Sequence, residues 1–202
     1  VYDEPDARKV HTGVMTRLGG LGIYCGFIAG ILVYGEFSRT LLGLALSASI
    51  VVAVGLYDDI KNISPKMKLL GQIIAAIVLI CFDVRLEFIT NPITGAIFDL
   101  GWIGYPITLL WLVGVSNAVN LIDGLDGLAS GVSGIAALSL AVDSLAKGFT
   151  VSGCIALILV GGILGFLRYN FHQPQLFMGD CGALFLGFVI GALSILGLSE
   201  GA

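Results

Sequence analysis

The chain has 202 residues, of which 57% are hydrophobic and 12% charged; an average soluble domain carries about 25% charged residues. The net charge of −4 comes from few, clustered groups, and no basic patch suited to nucleic acid is present. Composition therefore points to an integral membrane protein and away from a soluble or nucleic-acid-binding one. The four cysteines, Cys25, Cys81, Cys154 and Cys181, are scattered without a Cys-x-x-Cys pair, so they read as small buried residues, not as a disulfide or zinc framework.

The expected fold is all-α: one integral-membrane domain over 1–202, a polytopic transmembrane bundle of about seven helices with a small external β-hairpin. The apolar segments run over 18–35, 41–57, 67–82, 100–119, 127–145, 151–167 and 181–199. Several approach the ~20 residues needed to span a bilayer. The third is short, with Lys66 and Lys68 at its start placed to snorkel to the interface. Glycines inside the spans, such as Gly19, Gly20, Gly187 and Gly191, let helices pack closely in lipid. The chain begins at Val1 and ends just after an apolar run, which suggests a fragment lacking terminal helices.

Alternating the crossings puts 1–17, 58–66, 120–126 and 168–180 on one side. With Lys68 counted from the start of the third segment, that side carries seven basic residues, Arg8, Lys9, Arg17, Lys61, Lys66, Lys68 and Arg168, against three, Arg39, Arg85 and Lys147, on the other. The positive-inside rule makes the first side cytoplasmic. On the opposite side, the β-branched and aromatic residues of 83–99 flank a turn at Asn91-Pro92, which predicts the external hairpin.

Four polar blocks fall on the basic side. In the first, Arg8, Lys9 and His11 suit a diphosphate, or equally a juxtamembrane cluster drawn to anionic lipid. In the second, Asp58 and Asp59 end a span; one carboxylate suits a general base while Lys61, on the same helical face as Asp58, handles a phosphate. An interfacial charge pair that stops a span is the bland reading. The third places Asn117, Asn120, Asp123 and Asp126 at intervals of three. On a helix these oxygens drift slowly around one face and suit Mg²⁺, which takes one or two protein carboxylates and keeps several waters. A glycine-rich capping loop is the alternative. In the fourth, Asp180 opens the last span, either as a simple helix cap or as a ligand, with Phe177 able to stack on a base. His172 reads as a loop residue without a role.

In order, these blocks read D-x-P-x-x-R-K-x-H and L-G-G over Asp3–Gly20, D-D-x-x-x-x-S-P-x-x-K-L-x-x-Q over Asp58–Gln72, N-x-x-N-x-x-D-G-x-D-G-L-A over Asn117–Ala129, and N-F-x-x-x-x-x-F-M-G-D-x-G over Asn170–Gly182. Together they resemble the polyprenyl-phosphate N-acetylhexosamine-1-phosphate transferases of cell-envelope synthesis, the family of the MraY and WecA/TagO enzymes. The segment around Arg8 and His11 is similar to the WecA/TagO branch. Gly182-Ala183 stands where many relatives have Gly-Ser, and the family's later histidine-rich loop and its first span lie outside this sequence.

The resemblance implies an enzyme in the cytoplasmic membrane that transfers N-acetylhexosamine-1-phosphate, by the branch GlcNAc-1-phosphate, from a UDP-sugar to undecaprenyl phosphate, releasing UMP. The product would feed an envelope polysaccharide such as lipopolysaccharide or teichoic acid. Mg²⁺, with Mn²⁺ as a substitute, would be held by Asp180 and Asn120. Asp58, Asp59, Lys61 and Asp123 would carry the chemistry. Lys9, His11, Lys68, Asn117, Gly124, Leu125, Asp126, Asn170 and Phe177 would bind substrate. A homodimer is compatible with this reading. The alternatives are the phospho-N-acetylmuramoyl-pentapeptide transferase of peptidoglycan synthesis and, more distantly, a cation-coupled transporter. A transporter would favour repeated halves and a midplane site, whereas the carboxylates here gather at span ends.

Overall fold

The computed structural model describes residues 2–3, 15–36, 38–91, 94–171 and 175–199. Lys9, His11 and His172 lie outside the described residues. The elements are β1 (Tyr2–Asp3), β2 (Met15–Thr16), α1 (Gly19–Tyr34), α2 (Arg39–Lys61), α3 (Pro65–Cys81), β3 (Phe88–Thr90), β4 (Ile97–Asp99), α4 (Gly104–Ile122), α5 (Leu128–Ala146), α6 (Thr150–Asn170) and α7 (Gly179–Ser199). A 3-10 turn, Gly101–Ile103, leads into α4. All seven expected apolar segments are helical.

Local chemistry sets the helix ends. Ser38 caps α2, its hydroxyl accepting the Leu41 amide at 3.1 Å, and Asn62 closes that helix in the left-handed region at φ 48°. Pro65 occupies the first turn of α3, where its missing N–H costs nothing. Gly127 (φ 69°) and Gly179 (φ 73°) turn the chain into α5 and α7.

Among the described residues five helices, α2, α4 with its 3-10 lead-in, α5, α6 and α7, are long and apolar enough to cross a membrane. The remaining two are shorter: α1 has 16 residues and α3 has 17. The protein is a multi-pass membrane protein.

Helix α7 is the hub. Leu184, Phe185, Leu186, Phe188 and Val189 are fully buried, and α1, α2, α4, α5 and α6 all pack on it. Three neighbours approach so closely that only glycine fits. A Cβ on Gly55 of α2 would lie 2.4 Å from Cys181 Cα, one on Gly20 of α1 would lie 2.2 Å from Gly182 N, and one on Gly187 would lie 2.6 Å from Ser116 Cα of α4. With no hydrophobic drive between helices in lipid, such close backbone contact supplies the packing energy.

The expected hairpin is present. β3 and β4 pair antiparallel with Ile89 opposite Phe98. A second antiparallel pair, β1–β2, was not foreseen, because two-residue strands leave no periodicity to read. A parallel bridge joins Thr16 to Leu176, and the Phe177 amide donates to Thr16 O at 3.0 Å. The segment entering α1 is thereby tied to the segment entering α7.

Candidate active site

One end of the bundle gathers the start of α1, the end of α2, the start of α3, the end of α4, the end of α6 and the start of α7. A cleft of about 250 Å³ opens there, lined by Arg17, Asp59, Asp123, the 124–126 loop, Asn170, the 177–179 segment and Asp180. The two carboxylates that end α2 diverge, because consecutive helical residues point about 100° apart.

Asp58 faces α3. It is buried, its Oδ1 accepts the Ile63 amide at 2.9 Å, and its Oδ2 lies 2.5 Å from Lys68 Nζ. Asp59 faces α7. Its Oδ1 accepts the Asp180 amide and its Oδ2 the Cys181 amide, each at 3.0 Å. The opening amides of a helix have no intrahelical acceptor, so Asp59 is a tertiary cap. That geometry needs Gly179: a Cβ there would lie 2.7 Å from Asp59 Oδ2 and 2.8 Å from Arg17 O.

Asp180 is the junction. Its Oδ2 accepts from Lys68 Nζ at 2.6 Å and its Oδ1 from Asn120 Nδ2 at 2.7 Å. Asp58, Lys68, Asp180 and Asn120 thus form one chain across α2, α3, α7 and α4. The lysine at Asp58 is Lys68; Lys61 is exposed. The expected Asp58–Lys61 face gives way because α3 folds back beside α2 and delivers a nearer ammonium.

The regular spacing from Asn117 to Asp126 does not form one helical face. Helix α4 ends at Ile122, and Gly124 and Gly127 carry Asp123 and Asp126 into a turn. Asn117 points to α3, its Nδ2 donating to Gln72 Oε1 at 2.5 Å, and this pair staples two helices. Asn170 is buried; its Oδ1 accepts the Gly127 amide and its Nδ2 donates to Leu176 O, both at 2.9 Å. It anchors the two loops that wall the cleft. Gly124, Leu125 and Asp126 are exposed on the rim, and Phe177 lies beside them.

Asp123 is half-buried outside the spans. Burial pushes its carboxyl up to about 7, with the charges of Asp180 and Asp59 adding and Arg17 opposing.

Arg17 is the basic residue among those lining the cleft and was not singled out from sequence. A lone arginine beside Gly19-Gly20 carries no motif by itself, and only the strand that ties it to 176–177 puts it over the acidic groups. Gln72 closes the second of the four blocks, but its partner lies 45 residues away, so its pairing was not legible along the chain.

The donors suit a hard divalent cation. The charged donors are carboxylate oxygens, and the Lys68 ammonium stands as a cation already resting on Asp180. Among the described residues no three His, Cys, Asp or Glu side chains converge as a closed metal site. A divalent cation here would rest on one or two carboxylates, with waters and phosphate oxygens completing its shell.

Residues 41–198 match Glycosyl transferase family 4. The chain belongs to that family. Within it, the chain is 44% identical over 97% of its length to the probable undecaprenyl-phosphate N-acetylglucosaminyl 1-phosphate transferase of Bacillus subtilis, covering 55% of that protein. It is 33% identical over 94% of its length to the decaprenyl-phosphate N-acetylglucosaminephosphotransferase of Mycolicibacterium smegmatis, covering 52%. It is 38% identical over 97% of its length to the phospho-N-acetylmuramoyl-pentapeptide-transferase of Listeria monocytogenes, covering 65%. The chain thus spans about half the length of the first two of these family 4 relatives.

Proposed function

We propose that the protein transfers N-acetylglucosamine-1-phosphate from UDP-N-acetylglucosamine to undecaprenyl phosphate at the cytoplasmic face of the cell membrane. The observation that carries this is the Asp58–Lys68–Asp180–Asn120 chain at the mouth of a membrane helix bundle. It sets charge for phosphates where a lipid-tethered acceptor and a water-soluble donor can meet. An acceptor phosphate oxygen forms a bond to the sugar-bearing phosphorus, the bond to the bridging oxygen breaks, and UMP leaves with that oxygen. Such transfer depends on positioning and charge neutralisation more than on covalent chemistry.

Asp58 and Lys68 orient the acceptor phosphate, and Asp58 takes its remaining proton. Asp123 and the 124–126 loop meet the donor, with Phe177 against the nucleotide. Asp180 and Asn120 would hold Mg²⁺, or Mn²⁺ in its place; when bound, it neutralises charge on the donor diphosphate and on the departing UMP. Asp59 sets Asp180 in place. The seven-to-three basic asymmetry orients the site to the cytoplasm.

The donor is favoured over the muramoyl-pentapeptide by the higher identity to the B. subtilis protein. The test is label transfer by the full-length protein in detergent, with undecaprenyl phosphate and either radiolabelled UDP-N-acetylglucosamine or UDP-N-acetylmuramoyl-pentapeptide. Labelled lipid and free UMP from the first donor alone are expected. Transfer from the second donor alone would move the protein to peptidoglycan synthesis.

A further inference from the structure

Lys68 stands in an unusual place for a residue that binds substrate. It rises from the first turn of α3, and only 18% of its side chain is exposed. Its ammonium sits between Asp58 Oδ2 at 2.5 Å and Asp180 Oδ2 at 2.6 Å. Asn120 holds the other Asp180 oxygen through its Nδ2. Both Asp180 oxygens are therefore taken by donors, and Asn120 turns its amide nitrogen, not its oxygen, toward the carboxylate.

From this geometry we infer that Lys68 is an exchangeable internal counter-ion: its ammonium and a divalent cation compete for Asp180. The inference rests on the metal reading given above and concerns what this chain's own residues do before a cation arrives. Two carboxylates on one ammonium, Asp58 buried and Asp180 at the wall of the cleft, repel each other, and one positive charge between them relieves that. A second cation on the same Asp180 oxygen would face a like charge at contact distance, so the two occupants exclude each other. Asp58 gives the displaced ammonium a resting place, since it already shares it. Rotation of the Asn120 amide by half a turn would present its oxygen to the incoming ion. The exchange keeps the cluster charge-compensated in both states, and it leaves Lys68 on the acceptor side only when Asp180 is filled.

Mn²⁺ binding to the full-length protein in detergent, read by electron paramagnetic resonance without substrates, tests this. Lys68→Gln removes the competing charge and should tighten Mn²⁺ binding at least about tenfold, a conservative reading of like-charge repulsion near a protein surface. Lys68→Arg keeps the charge and should bind no more tightly than the unaltered protein. A lysine that serves only as a strut would give the opposite result in Lys68→Gln, equal or weaker binding, and that overturns the inference while leaving the metal reading intact. No Mn²⁺ binding in any variant, the unaltered protein included, overturns both. Reductive methylation of Lys68 in the unaltered protein, followed by mass spectrometry, gives a check that needs no variant to fold. Labelling should rise when Mn²⁺ is added; labelling that stays constant while Mn²⁺ demonstrably binds also overturns the competition.

Discussion

Asp59 and Asp180 meet through a backbone amide: the Asp180 N–H donates to Asp59 Oδ1 at 3.0 Å. The Cys181 N–H takes the other oxygen of Asp59. The carboxylate that ends α2 therefore fixes where the central helix begins, and with it the carboxylate at the junction of the site. Asp59 works by placing Asp180. Its neighbour Asp58, turned to α3, holds the ammonium that Asp180 shares.

Asp59→Ala should leave two opening amides of α7 without an acceptor. A lost cap or buried hydrogen bond costs about 1–2 kcal/mol, so the melting temperature in detergent should fall. Asp59→Asn keeps one acceptor oxygen and should fall less. Transfer activity should drop in both, in the same order. An unchanged melting temperature in Asp59→Ala would show that the cap contributes nothing.

Asp58→Asn should lower kcat by about 10²–10⁴, the range for a general base, while UDP-sugar binding measured by calorimetry stays near normal. Loss of nucleotide binding with the chemical step intact would move Asp58 to the donor side of the cleft.

Asp180→Asn should abolish transfer, because a neutral amide keeps the shape and loses the charge that holds a hard cation. Chelation should silence the unaltered protein, and either Mg²⁺ or Mn²⁺ should restore it. Turnover in Asp180→Asn that persists at low Mg²⁺ would remove this residue from the metal site.

Asp123 carries a pH signature. Its carboxyl is raised by burial to about 7 in the folded protein, against 3.8 for a free aspartate. The fold thus favours the neutral form. The contribution to stability is fully present below about 3.8 and is lost as the pH rises through about 7. Activity that needs the ionised form should run the other way, with kcat/KM rising through pH 7. Asp123→Asn should flatten that limb. A profile identical in the variant would assign the limb to another group.

Gly55→Ala and Gly20→Ala should each destabilise the bundle by about 1–3 kcal/mol, the usual effect of overpacking. Each new methyl would meet the α7 backbone, which cannot rotate away as a side chain can. Gly22→Ala is the control, since a Cβ there meets nothing within 4 Å. Equal melting temperatures for all three would remove the close crossings from the account of stability.

Much of this protein was legible in its sequence. Seven apolar segments had to become helices, because a backbone in lipid must satisfy its own hydrogen bonds. Alternation of the spans alone brought Asp58, Asp59, Asn120, Asp123 and Asp180 to one end. The hairpin over 83–99 followed from its β-branched residues and turn. Which polar group faces which follows from helix packing. Asp58 and Asp59 are indistinguishable in sequence, and their roles part because a helix turns neighbouring residues to different partners. Lys61 lies nearer to Asp58 along the chain, yet Lys68 reaches it, because distance across packed helices is independent of distance along the chain. Asn117 and Asn170 carry the same polar signal as Asn120 but are occupied by Gln72 and by loop backbone, since a buried amide takes whatever partner the packing supplies. Hydropathy and charge placement are enough to give the helices and the end of the bundle where charge collects; the crossing of α2 on α7 at Gly55, set by steric contact, gives the site.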